Sequence, residues 1–327
     1  MITVFLATRN RARILKDVLA CFCDLLPPES GWKFVVIDNG STDETSQVLA
    51  SFVDRLPLHI VFERCVGKNY ALNAGLDLVE GDLAVFTDDD VFPHADWLVQ
   101  LRRAADMNPS YSIFGGQILP RWQAPPVPWT RWIDLGPIFT ITDPLLGEGP
   151  LSPGLFLTAV QGPNMAVRTS VFRSGLRFDP YIGPSGPNYP MGSESELILR
   201  LRRQGDKAWY VQGAIVEHLV RHDQLDKSWA FKRAIRFGRG LHRLCHKGLF
   251  PDVKLWGGVP RHLLRDIPKE IFLMAGAWVL CRPDIVFRAR WRLNVLWGKA
   301  IEARIVAREQ RNHAKAAAPD ERLSPES

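Results

Sequence analysis

Leu83-Ala84-Val85-Phe86-Thr87-Asp88-Asp89-Asp90-Val91 sets an apolar run directly against three consecutive carboxylates. Leu83 to Phe86 reads as a short buried strand. Asp88 to Asp90 then sit where that strand leaves its sheet. Three adjacent anions repel one another unless a positive partner holds them, and a divalent cation is the usual partner. A solvated acidic turn is the other reading of such a triplet, so the rest of the chain decides between them.

Working back from the triplet, strands and helices alternate. Ile2 to Ala7 is a continuous apolar strand followed by the polar loop Thr8-Arg9-Asn10-Arg11. Ile14, Leu15, Val18, Leu19, Phe22, Leu25 and Leu26 recur at helical spacing until Pro27-Pro28. A second strand, Lys33 to Ile37, ends at Asp38-Asn39-Gly40, and Ser41 with Glu44 fits a capping box opening the next helix. A third strand covers Leu58 to Phe62, and Gly67-Lys68-Asn69 leads into a helix that ends near Gly81-Asp82. This alternation predicts an α/β fold built from right-handed βαβ units around a mainly parallel sheet flanked by helices. Ligands of such sheets bind at the carboxyl ends of the strands, where Thr8, Asp38, the loop before Gly67 and Asp88 all fall.

Beyond the triplet, a helix through Trp97, Leu98 and Leu101 leads to a strand around Ser112 to Ile118. Residues 120–157 are rich in proline and carry Trp122, Trp129 and Trp132, which is too apolar for a disordered linker. They read as an ordered insertion, either a lid or acceptor wall or a structural cap. Thr158 to Arg168 restores regularity. Gly192-Ser193-Glu194-Ser195-Glu196 opens a helix, and Ala208 to Val211 and Ala214 to Val216 read as two short strands before Glu217-His218. From Trp229 the chain is basic and helical.

Composition bounds the classes. Of 327 residues, 46% are hydrophobic and 23% charged, as in an ordinary globular protein. Five cysteines at scattered positions give neither a disulfide framework nor a zinc spacing, and the sequence starts on a strand without a basic leader. Both points lead to the expectation of a cytoplasmic protein. Residues 1–220 hold 19 Lys/Arg against 24 Asp/Glu, whereas residues 221–327 hold 22 against 11. That asymmetry points to a cation site in the first part and an anionic partner for the second. No nucleic-acid recognition motif accompanies the basic third, so nucleic acid is not expected.

The run Val4 to Arg11, then Val36-Ile37-Asp38-Asn39-Gly40-Ser41-Thr42-Asp43, then Gly67-Lys68-Asn69-Tyr70-Ala71-Leu72-Asn73, then Phe86 to Asp90, resembles glycosyltransferase family 2. The resemblance covers roughly residues 2 to 240. It implies the GT-A fold with a basic helical C-terminal extension, and inverting transfer from a nucleotide-diphospho-sugar (a UDP-sugar first) to a saccharide or lipid-linked acceptor. Polysaccharide, glycolipid or cell-envelope glycan synthesis is the setting it implies. The expected organisation is a catalytic domain at 1–225, divided at 118/119, a basic helical extension at 226–313, and a disordered tail at 314–327.

The resemblance assigns roles. Thr8 and Arg9 line the base and ribose, Asp38 accepts from the imide of a uracil, and Lys68 reaches the diphosphate. Asp88 and Asp90 are the outer acids of a DxD motif. Asp88 faces the nucleoside and Asp90 ligates Mn²⁺ or Mg²⁺, with Asp89 as spacer. His218 resembles a late histidine that completes the metal site, with His222 a nearby competitor. Gly162-Pro163-Asn164 resembles a loop beside the donor sugar, which places Asn164 on the donor. Any of Trp122, Trp129 or Trp132 suits sugar stacking or packing. For Asp38 the bland alternative is initiation of the turn before Ser41, and for Asn73 it is a cap or loop cross-link.

Inverting transfer needs one carboxylate to take the acceptor proton while a metal stabilises the departing diphosphate. Family members supply it from a Glu-Asp pair opening a helix. Here Ser193 replaces that Glu and Glu194 stands where the Asp would, with Glu196 as alternate. A helix-start acid favoured by the dipole is the bland reading of both. Two other classes stay open: a catalytically silent nucleotide-sugar-binding or scaffold protein, and a sugar nucleotidyltransferase, whose glycine after the first strand is missing from Thr8-Arg9-Asn10-Arg11. Residues 261–306 interleave Arg/Lys with large apolar side chains. They fit either peripheral seating on an anionic membrane surface or a helical subdomain packed on the core.

Overall fold

The computed structural model describes residues 1–249, 255–256 and 259–317. It divides into a first unit, Met1–Ala230, and a second from Phe231 onward.

A strand that is buried on both faces needs cover on both. In β1 (Ile2–Thr8), Val4 and Leu6 join Leu15, Val18, Leu19 and Phe22 of α1 (Ala12–Cys23) in one core layer. Phe5, pointing the other way, joins a second layer. The chain continues through β2 (Trp32–Asp38), α2 (Thr45–Ala50), β3 (Leu58–Phe62), α3 (Lys68–Leu76) and β4 (Leu83–Asp88). Ala71, Leu72 and Leu76 of α3 cover Phe5 in that second layer. Strand order here is β3-β2-β1-β4, every pair parallel. Register sets Thr8 opposite Asp38 and Ala7 opposite Asp88, so the sequence-predicted carboxyl-end residues share one rim of the sheet.

Past β4 the sheet becomes mixed. β5 (Val91–Pro93), α4 (Trp97–Met107) and β6 (Ile113–Trp122) are followed by the one-turn α5 (Gly136–Phe139), β7 (Gly149–Pro150), one-turn α6 (Phe156–Ala159), β8 (Met165–Arg168), one-turn α7 (Ser170–Arg173), α8 (Ser193–Arg203) and β9 (Ala208–Val220). β8 runs antiparallel to β4 and β6, β9 parallel to β6, and β5 antiparallel to β9. The two short strands expected between Ala208 and Val216 are one long strand. Gln212 and Gly213, between the two expected strands, lie in a register shift opposite Gly116/Gln117, a bulge that keeps the strand running to His218.

The capping box expected of Ser41 and Glu44 is absent, since α2 starts at Thr45 with no side-chain cap from Glu44. Asp43 does related work: Oδ1 accepts from the Thr45 backbone and hydroxyl, and Oδ2 from the Ala12 amide. Those donors hold its carboxyl below the usual range.

The second unit contains most of α9 (Lys227–His246), the short β10 (Leu255–Trp256) and β11 (Val259–Pro260), α10 (His262–Val279) and α11 (Pro283–Ala317). Buried Glu302 accepts from Arg239 at 2.7 Å and from Arg243, and Glu270 pairs with Arg292 at 2.8 Å. Part of the C-terminal arginine excess is therefore neutralised internally. Of the tail expected at 314–327, residues 314–317 continue α11, and 318–327 lie outside the described residues.

Candidate active site

Lys68 opens α3 after Gly67, whose amide donates to Asn39 Oδ1 at 2.7 Å. The Asn39 amide group also holds the carbonyls of Glu63 and Cys65, so one buried asparagine fixes the loop that aims Lys68 inward. The Lys68 ammonium donates to Asp88 Oδ1 at 2.5 Å and to Glu194 Oε1 at 2.7 Å. Burial works against its charge, but the two carboxylates outweigh burial and drive its pKa upward. The end of β4 and the start of α8 are thus joined through one cation.

Glu194 is set by its neighbours. Gly192 takes φ +113° at the N-cap, a conformation suited to glycine. Next to it, the buried Ser193 hydroxyl donates to Asn69 Oδ1, and the Asn69 amide group donates to the carbonyls of Asp179 and Ile182. The serine that departs from the family pattern therefore anchors the helix start. A Cβ on Gly162 would overlap the Glu194 carboxylate, so the Gly162-Pro163 loop is its close wall. Glu196, the alternate base, is fully buried and its Oε2 accepts from Arg200 Nε and Nη2 at 3.0 and 2.7 Å. That ion pair and the absence of exposure remove it as a base.

The other two acids diverge. Asp89, expected to be only a spacer, accepts from Thr8 Oγ1 at 2.7 Å, so Thr8 ties β1 to the triplet. Burial first and then Asp90 push the Asp89 carboxyl up to about 7 against the pull of Arg11 and Thr8. Asp90 Oδ1 lies 3.2 Å from His218 Nε2 and Oδ2 lies 3.4 Å from Arg221. Burial opposes its charge, but His218, Arg11 and Arg221 hold Asp90 well below the usual carboxylate range. β5 pairing with β9 sets Val91 opposite His218 and so brings the acid and the imidazole together.

His218 Nδ1 lies 2.6 Å from the Phe139 carbonyl, which as acceptor requires a proton there and turns Nε2 toward Asp90. Burial lowers its basicity, but Asp90, Asp88 and the Phe139 carbonyl raise it further. Phe139 belongs to the Pro/Trp-rich insertion and sits among the rings of Trp122, Trp129 and Trp229. Trp129 is buried and donates to the Leu225 carbonyl, so it packs the insertion and offers no sugar platform. Through the Phe139 carbonyl the insertion orients His218.

Two expected donor contacts, Asn164 and Asp38, also make hydrogen bonds within the protein. Asn164 is fully buried; its amide group donates to the Gln117 and Ala214 carbonyls at 2.9 and 2.7 Å, and its Oδ1 accepts from Trp97 Nε1 at 2.9 Å. With all three partners inside the core it pins β6, β9 and α4 and does not face a donor. Asp38 is buried and accepts from the Ser41 amide at 2.8 Å and the Ser46 hydroxyl at 3.2 Å, holding its own loop. Arg9 is exposed at the same rim, and His222 is exposed in a single turn after β9. Asn73 cross-links loops by exchanging hydrogen bonds with Phe178.

Arg11, Arg221, Asn69 and Phe139 were not singled out from sequence. Arg11 and Asn69 lay inside quoted motifs, but Arg221 and Phe139 reach the site only through long-range pairing that no local spacing signals.

The family profile described as glycosyl transferase family 2 matches residues 3–177. Glycosyltransferase AglE of Haloferax volcanii is 30% identical over 100 residues, 30% of this chain and 33% of that protein. The chain thus aligns with about a third of that relative's length. Among solved structures, a mannosyltransferase of Pyrobaculum calidifontis in complex with GDP-Man and Mn²⁺ superposes with a TM-score of 0.53 at 18% identity, over 97% of this chain and 81% of that one. S. aureus TarS 1-349 in complex with UDP-GlcNAc does so with a TM-score of 0.52 at 13% identity, over 94% and 92%. With its profile match spanning more than half of the sequence and its sheet shared with these structures, the chain belongs to glycosyl transferase family 2 and has the GT-A fold.

Proposed function

We propose that the protein is a divalent-metal-dependent inverting glycosyltransferase that moves a sugar from a nucleoside-diphosphate donor to an acceptor hydroxyl. The observation that carries this reading is the division of the carboxylates: Asp88 and Glu194 around Lys68, and Asp90 against His218.

Asp90 and His218 fit a cation. Two ligands at right angles on one octahedral ion, each about 2.1 Å away, lie about 3 Å apart, close to the 3.2 Å between Asp90 Oδ1 and His218 Nε2. Among the described residues no third His, Cys, Asp or Glu joins them, which leaves remaining positions for donor oxygens and water. A bound Mn²⁺ or Mg²⁺ supplies charge neutralisation for the departing diphosphate. Lys68 and Arg221 add positive charge at the same rim. Each Asp38 oxygen already accepts one hydrogen bond and keeps a second acceptor site, which suits the imide of a uracil. Glu194 Oε1 takes the acceptor proton once donor phosphates draw Lys68 away from it. With Asp38 suited to uracil, a UDP-sugar is the first donor to try; the similar structures carry GDP-Man in one case and UDP-GlcNAc in the other, so GDP-sugars follow.

The acceptor is a saccharide or a lipid-linked saccharide, and the enzyme works peripherally on a membrane surface. Nucleotide release from a panel of UDP- and GDP-sugars, with and without Mn²⁺, tests the reading. Metal-dependent release with one donor supports it. Tight nucleotide binding by calorimetry without release or transfer from any donor favours the silent binding protein instead.

A further inference from the structure

Of α10's residues, those from Ile271 to Val279 break the rule that a helix in a small unit buries its apolar face. Phe272, Trp278, Val279 and the following Leu280 are each between 73% and 83% exposed, and Ile271 and Leu273 are partly so. Ala277 is the buried residue of this stretch. The opposite end of the same helix is cemented. Leu263 and Ile267 pack with Leu296 and Ala300 of α11, and Glu270 pairs with Arg292. The two helices are joined by a tight turn at Leu280-Cys281-Arg282, where Cys281 has φ +50°. The result is a helical hairpin with a fixed base and an apolar tip.

Cations border the tip. Lys269 is exposed one turn before Phe272, Arg282 is exposed at the turn, and Arg290 is exposed on α11, while Arg261 and Arg265 lie toward the base of the hairpin. Residues 261–292 carry 7 Lys/Arg and 3 Asp/Glu. Glu270, Asp266 and Asp284 are each paired with an arginine, which leaves the unpaired excess positive. An exposed apolar apex ringed by cations fits a bilayer with anionic headgroups: hydrocarbon takes the apex and phosphates take the ring. A protein partner would have to supply an apolar socket and an acidic collar together. No helix among the described residues is long and apolar enough to cross a bilayer, so contact is confined to one leaflet.

We propose that the α10–α11 tip is a membrane-insertion element, with Phe272, Trp278, Val279 and Leu280 entering the interfacial layer of an anionic leaflet. Lys269 and Arg282 hold the headgroups. This rests on the peripheral-membrane part of the reading above and gives it an anchor in the second unit. It does not depend on the chemistry assigned to the first.

The test is flotation of the full chain with vesicles of phosphatidylcholine alone and with about one-third phosphatidylglycerol. The unaltered protein floats with the anionic vesicles and releases progressively as salt rises. W278S/L280S lowers partitioning by about tenfold or more, while donor turnover and circular dichroism stay unchanged. K269E/R282E loses the preference for anionic vesicles. If the unaltered protein does not float, both the tip and the peripheral reading fall. If it floats and W278S/L280S floats equally well, the tip falls and peripheral binding stands on another surface. Self-association abolished by W278S/L280S, with no flotation, would assign the tip to a second copy and overturn the proposal.

Discussion

Lys68 Nζ lies 2.7 Å from Glu194 Oε1, across 126 positions of sequence, while the same ammonium holds Asp88. The residue proposed as base and the first acid of the triplet are therefore electrostatically linked. Whatever binds at this rim must compete with that bridge.

Replacing Lys68 by Met leaves two half-buried carboxylates facing one another without their cation. Removing one partner of a fully buried ion pair costs about 3–5 kcal/mol; at this partly exposed rim the loss is smaller, and K68M should melt measurably below the parent in a thermal shift assay. K68R should recover most of the stability and only part of the activity, because the guanidinium is wider than the ammonium it replaces.

The triplet should respond unequally to single changes. D90N removes the charge held beside His218 and Arg221 and should abolish metal-stimulated turnover. D89N should be milder, because burial and Asp90 already push the Asp89 carboxyl up toward its neutral form and an amide oxygen still accepts from Thr8. Turnover against Mn²⁺ concentration for the two variants ranks them. Equal losses would contradict the division of roles. Chelation should silence the unaltered enzyme, and added Mn²⁺ should restore it.

N164A should act on stability and leave donor KM near the parent value. It leaves Trp97 Nε1 and the Gln117 and Ala214 carbonyls without their partner in the core. At about 1–3 kcal/mol for each unsatisfied buried group before relaxation, a loss of several kcal/mol is expected from denaturant titration. A raised KM without lost stability would return Asn164 to the donor.

His242 gives the second unit a pH dependence. Burial first holds its imidazole down to about 4, helped by His246, Lys299 and Arg243 and opposed by Glu302. The folded form therefore stays neutral where the unfolded chain takes up a proton. Stability is full above the ordinary imidazole range and falls as pH drops from about 6.5 toward about 4. Hydrogen exchange of α9 measured across that window should show the loss, and H242Q should flatten it.

What could be read from sequence follows from locality. Strands β1 to β4 with their helices are encoded by apolar runs and short connections, and their register alone brings Thr8, Asp38 and Asp88 to one rim. Asp90 and His218 sit 128 positions apart and meet through an antiparallel pairing that periodicity does not specify. Asn164 looked like a site residue because a polar side chain in a Gly-Pro loop carries no sign of whether it faces solvent or core. Trp129 and Glu196 misled for the same reason. Ser193 stands where the family pattern has Glu, yet its contact with Asn69 anchors the helix start that carries Glu194.

The central claim is that Glu194 removes the acceptor proton. E194Q keeps the side chain's shape and its contact with Lys68 but cannot take a proton. The decisive measurement is transfer by E194Q alongside its donor affinity, using the donor and acceptor that the unaltered enzyme accepts. The account predicts donor binding within a few-fold of the parent, with transfer reduced by about 10²–10⁴. Transfer at the parental rate with donor binding intact would contradict it.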